Sequence, residues 1–151
     1  MIKNKIQEDL VSALKARNTV RKNAINSLKT KITEFEKANG NKEASDSEII
    51  KIVVNLVKQR NESAAIYEKG NRTDLVEIEL VEAKVLEEYL PAKMSQSQIE
   101  EEIRSIIKDL RNIVPNHQAL IGRALGTFNK KFQGQADQAV VKSVIEKEVT
   151  I

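Results

Sequence analysis

This chain has little to turn with. Five glycines and two prolines serve 151 residues, so the segments between turns must be long. Long segments whose apolar residues recur every three or four positions are helices. Ile6, Leu10, Ala13 and Leu14 mark a first helix over 3–17. Asn18-Thr19 can break it and cap the next, over 19–38, where Ile25, Leu28, Ile32 and Phe35 form a stripe. The opposite face of that helix carries Arg21, Lys22, Lys29 and Lys31. Asn39-Gly40-Asn41 supplies a stop, glycine being suited to the left-handed backbone there.

Ser45-Asp46-Ser47-Glu48 is a capping box, hydroxyl and carboxylate each satisfying a free amide of the first turn. It opens a third helix through Ile49, Val53, Leu56, Val57, Ala64 and Tyr67, which Gly70 ends near Lys69. Thr73 is expected to cap a fourth, with Asp74 favourable in its first turn. Leu75, Ile78, Val81, Val85, Leu86 and Tyr89 are its apolar positions. Pro91 closes it by driving Leu90 out of helical geometry. These four make an N-terminal part, 1–91, expected to resemble a four-helix bundle, with each helix hiding its own stripe.

Ala92-Lys93-Met94 reads as the boundary to a second part, 95–151. Ser95 and Gln98 repeat the capping box. Ile99, Ile103, Ile106, Ile107 and Leu110 define a fifth helix, and Val114-Pro115-Asn116 a turn. Leu120 or Ile121, Ala124, Leu125, Phe128 and Phe132 give a sixth helix ending near Gly134. Asp137 caps a seventh, with Val140, Val141, Val144, Ile145 and Val149. Its valines favour strand, but they do not alternate with polar residues and a good cap precedes them. The expected class is all-α: a four-helix part, then a small three-helix part.

Composition excludes several chemistries. Without cysteine there is no disulfide, thiolate nucleophile or cysteine zinc site. A single histidine, His117, excludes a multi-histidine metal site. No nucleophile-elbow pattern or phosphate-cradling glycine loop occurs. No cofactor is called for. Nor is a membrane, since no run has the length of a span. The N-terminus lacks a signal core, and the expected setting is the cytoplasm. Charge is uneven: residues 1–41 carry +5, residues 42–94 carry −3 and residues 95–151 carry +1. The basic first third suits a polyanion partner or a solvated surface.

Two groups of residues stand out. Lys58 and Arg60, with Arg72 from the next turn, could meet phosphate. Arg60 borders the apolar stripe, however, and could pair instead with Glu62, Asp74 or Glu79. Gly122 and Gly126 lie one turn apart inside a helix, where each costs about 1 kcal/mol against alanine. Such a face admits another backbone, whether a neighbouring helix, an RNA or another macromolecule. Arg123, Lys130 and Lys131 lie close by in sequence.

The motifs KQRNES at 58–63, Tyr67, GNRTDL at 70–75 and VLEEYLP at 85–91 closely resemble the signature blocks of the YqeY-like (GatB/YqeY) family. So does IGRALGTFNKKFQGQAD at 121–137, with Ile121 and Arg123 where methionine and lysine are common, and Gln135 where a basic residue is usual. The resemblance covers nearly the whole chain and implies an all-helical protein. Its C-terminal part is similar to the tail of the B subunit of the glutamine-dependent aspartyl/glutamyl-tRNA amidotransferase, which helps hold tRNA. The implied function is tRNA binding or handling beside such an amidotransferase or an aminoacyl-tRNA synthetase. A carbon–nitrogen ligase label with glutamine as amido donor comes with the family, but the resemblance does not reach the amidotransferase's catalytic parts. The alternative is a module that docks on a translation enzyme without touching RNA.

Overall fold

The structure, a computed structural model, describes residues 1–151 as seven helices without a strand. They are α1 (Ile2–Lys15), α2 (Thr19–Ala38), α3 (Asp46–Lys69), α4 (Thr73–Glu87), α5 (Gln96–Leu110), α6 (His117–Lys131) and α7 (Gln138–Val149). The chain divides into two compact units, Met1–Leu90 and Pro91–Ile151.

Most helix ends follow from local chemistry. The Ser45–Glu48 box closes with bonds of 3.2 and 2.8 Å, and the Ser95–Gln98 box with 3.2 and 2.9 Å. Asn18, Asn116 and Asp137 each cap with a side-chain oxygen. Gly40 takes a left-handed φ of 71°, and Asn41 N–H reaches back to the Glu36 carbonyl at 2.8 Å. Two other stops use the same geometry without glycine. Arg17 (φ 55°) ends α1, with Asn18 N–H bonded to the Ala13 carbonyl, and Asn71 (φ 56°) ends α3, with Arg72 N–H bonded to that of Tyr67. The stop after α3 therefore bends at Asn71 and not at Gly70, whose φ is −88°. Thr73 is no cap either. It is the first residue of α4, the cap position is Arg72, and no side chain caps there.

The first unit's core gathers Ile6 and Leu10 of α1, Ile25 and Leu28 of α2, Ile49 and Val53 of α3, and Leu86 with Tyr89 at the end of α4. Full burial of each large aliphatic is worth about 1.5–3 kcal/mol. Toward their shared loop, α3 and α4 lose this cover: between Asn61 and Val81 only Ala64 is buried. Ile78 and Val81, expected in the apolar stripe of α4, are 43% and 44% exposed, and Ile66 is 68% exposed. The expectation that every helix hides its own stripe fails here. The α3–α4 hairpin outruns the core made with α1 and α2, so periodicity continues where nothing covers it.

In the second unit, Ile99, Ile103, Ile107, Phe128, Val141 and Ile145 build the core. Phe128 is fully buried, its ring 5.1 Å from that of Phe132. The valine-rich run is helical, as its cap suggested. The Met94 amide donates to the Gln135 carbonyl at 2.7 Å, tying the segment before α5 to the loop after α6.

Candidate nucleic-acid interface

Lys58, Arg60 and Arg72 do not form one basic surface. Lys58 is exposed, 4.0 Å from Glu62 one turn on. The Arg60 side chain is 21% exposed; its Nε lies 2.9 Å from Glu82 and 3.7 Å from Glu79 of α4. Its Nη2 donates to the Ser27 hydroxyl of α2 at 3.1 Å. Two carboxylates thus face one guanidinium where three helices meet. Burial, with Glu79 adding to it, pushes the Glu82 carboxyl above its ordinary pKa, against the pull of Arg60. Arg72 forks onto Asp74 at 3.3 and 3.2 Å, which raises the arginine and lowers the carboxyl. Arg60 therefore fastens α3 to α4, while Arg72 is spent on an exposed pair within the first turn of α4. The basic face of α2 is similarly engaged: Arg21 meets Glu88 at 2.7 Å, Lys29 meets Gln7 at 2.6 Å and Lys31 meets Glu34 at 2.9 Å.

The α6 group differs. Leu120, Ala124 and Phe128 point into the core, which turns the other side of the helix outward. That side carries Ala119, Gly122, Arg123, Gly126, Thr127 and Lys130, all exposed. A methyl group on Gly122 or Gly126 would meet nothing within 4 Å. The neighbouring-helix explanation of the two glycines is therefore not realised: no helix approaches them. What remains is a bare stretch of backbone about 6 Å long, with Arg123 beside it and Lys130 a turn beyond. Lys131 is exposed too, 3.4 Å from Glu102 and 5.1 Å from the Phe132 ring centroid. His117 is simply the exposed first residue of the helix.

Three surface depressions are open grooves of about 340–410 Å³. No group of three or more acidic, histidine or cysteine side chains is placed to hold a metal ion. No helix is long and apolar enough to cross a membrane. Fold and surface define an all-α protein of two units that offers helical faces.

A family model described as Yqey-like protein matches residues 3–149. The chain belongs to the YqeY-like family. It is similar to proteins named "Altered inheritance of mitochondria protein 41, mitochondrial" from three yeasts. With that of Kluyveromyces lactis it shares 30% identity over 75% of this chain and 62% of the relative, so it spans about three-fifths of that protein's length. The Meyerozyma guilliermondii protein is 28% identical over 86% of this chain and 71% of its own. The Clavispora lusitaniae protein is 27% identical over 93% and 82%.

Sequence reasoning missed contacts that fix this geometry. Periodicity gives Tyr89 as an apolar position, but not its bond to Asp9, which joins α1 to the end of α4, since nothing in the spacing links positions 80 apart. Glu148 did leave a trace. It is an acidic residue in the same run as Val144, Ile145 and Val149, and it is the one charged residue that the fold buries.

Proposed function

We propose that this protein is a tRNA-handling accessory module and that α6 is its contact with RNA. The observation behind the reading is the solvent-facing Gly122/Gly126 backbone flanked by Arg123, Lys130 and Lys131. Two helix-weakening residues with no packing partner have no structural return. A bare helix surface instead lets a bulky sugar–phosphate chain approach closely enough for the flanking cations to reach its phosphates. With aromatics at 3% of the chain, recognition by base stacking is disfavoured, and contact with the shape and backbone of folded RNA suits the surface better. The sequence resemblance of the C-terminal part to the amidotransferase tail adds support. We read the setting as cytoplasmic; the mitochondrial designation belongs to the yeast relatives. The test is a titration of total tRNA at several salt concentrations. Binding should weaken steeply as salt rises, because released counterions drive it. Binding indifferent to salt would refute the reading.

A second reading is favoured by a different observation. Ile66, Ile78, Leu80 and Val81 leave apolar area exposed on the α3–α4 hairpin, as a docking surface for a translation enzyme would. Recovery of an amidotransferase or synthetase subunit after nuclease treatment, lost on Ile78→Asp, would support it. Equal recovery by the variant would remove it.

A further inference from the structure

Glu148 on α7 is 8% exposed, yet its buried carboxylate does not close a sealed ion pair. Its Oε1 lies 3.1 Å from Arg104 Nε, and its backbone carbonyl accepts from Arg111 Nη2 at 3.2 Å. One residue thus holds two guanidiniums, Arg104 of α5 and Arg111 just past its end, at the edge of a groove of about 410 Å³. Lys108 sits between them on the same helix, exposed. Glu100 is the other nearby anion, 3.9 Å from Arg104 Nη2. Three cations, Arg104, Lys108 and Arg111, line the groove.

A guanidinium has five N–H donors in a rigid fork. Arg111 uses one on the Glu148 carbonyl, and Arg104 fixes its Nε on the carboxylate. Several donors on each remain for a ligand, already oriented by a buried anchor. Such preorganised forks match the oxygens of a phosphate. Ile107 and Ile151 add apolar lining, suited to the sugar or base that carries it.

We propose that the α5–α7 groove is a phosphate-binding site in which Arg104, Lys108 and Arg111 hold the oxyanion and Glu148 is a positioning residue. It lies on other helices than the α6 face and does not depend on it. A terminal phosphate and a nucleic-acid diester share the required chemistry.

The test follows the arginine Nε–H signals of the intact ¹⁵N-labelled protein by NMR at low chloride. Inorganic phosphate and adenosine 5′-monophosphate should shift Arg104 and Arg111, saturating below roughly 10 mM. Lys108→Ala, at an exposed position, should weaken this about fivefold. Glu148→Gln should broaden or move the free-state Arg104 signal, and Lys108→Ala carries the test if that variant does not fold. Adenylyl-adenosine, which has only a diester, separates the sources. Binding equal to the monophosphate assigns the site to a polynucleotide backbone, and weaker binding assigns it to a terminal phosphate. Adenosine shifting the same signals as strongly, no saturation with any phosphate, or unchanged binding by Lys108→Ala would each overturn the proposal.

Discussion

The phenol of Tyr89, just past the end of α4, donates a 2.7 Å hydrogen bond to Asp9 of α1. Tyr89 is 5% exposed, and the ammonium of Lys5 lies 5.4 Å from its ring centroid. Arg21 of α2 stands 4.0 Å from the same Asp9 carboxylate and 2.7 Å from Glu88. The VLEEYLP block thereby locks the end of α4 to α1 and α2. Burial, reinforced by the Asp9 charge, pushes the phenol well above its ordinary pKa.

Tyr89→Phe removes that bond and leaves Asp9 partly uncompensated. Urea unfolding at pH 8 should show a loss of about 1–2 kcal/mol. The pH dependence has a definite sign. The folded phenol keeps its proton above the unfolded value of about 10, so its contribution is complete below pH 10 and fades as pH rises further. The difference between wild type and Tyr89→Phe should therefore narrow above pH 10.

Around Arg60 the charges do not balance, since Glu79 and Glu82 share one guanidinium. Arg60→Ala strands both carboxylates in a half-buried place and should cost about 2–3 kcal/mol, below the range for fully buried pairs because water still reaches the site. The raised Glu82 carboxyl means that the folded state binds this proton more tightly than the unfolded chain does. Wild type therefore loses stability as pH climbs past the usual carboxylate range. Glu82→Gln has no such proton to lose, so denaturation from pH 4 to pH 7 should show the variant gaining on wild type.

Arg17 holds a φ of 55° at the end of α1, a conformation that disfavours residues with a Cβ. Arg17→Gly should raise stability by about 0.5–1 kcal/mol despite the greater freedom of glycine in the unfolded chain. Thermal unfolding measures this directly, and an unchanged or lower midpoint would contradict it.

Phe128 is fully buried at the centre of a unit of 61 residues, a size at which a core has little margin. Phe128→Ala should cost about 3–5 kcal/mol, enough to unfold Pro91–Ile151. Hydrogen exchange should then lose protection in α5, α6 and α7 while the amides around Tyr89 stay protected.

Helices and most caps were legible because both are local; the expected Thr73 cap and Gly70 bend fell one residue away, at Arg72 and Asn71. A Ser-x-x-Glu box or an Asn-Gly-Asn stop encodes its own hydrogen bonds, and a stripe such as Ile99, Ile103, Ile106 and Ile107 needs only a neighbour to bury it. The α4 stripe was misjudged because burial depends on how far the other helices extend, which spacing does not carry. Of the candidate site residues, Arg60 turned inward to carboxylates brought up by the hairpin, and Arg72 stayed exposed beside its neighbour Asp74. Gly122 and Gly126 proved open because α6 buries its other side. Each outcome depends on which face the tertiary contacts choose, and a composition of arginines and glycines is the same either way.

The most direct test is fluorescence anisotropy of labelled total tRNA titrated with intact protein at low salt, wild type beside the combined Arg123→Ala, Lys130→Ala, Lys131→Ala variant. Wild type should bind at micromolar protein, and the variant should bind at least about tenfold more weakly, with a salt slope reduced by about 2–3. No wild-type binding at tens of micromolar protein, or equal binding by the two proteins, would contradict the assignment of α6 to RNA.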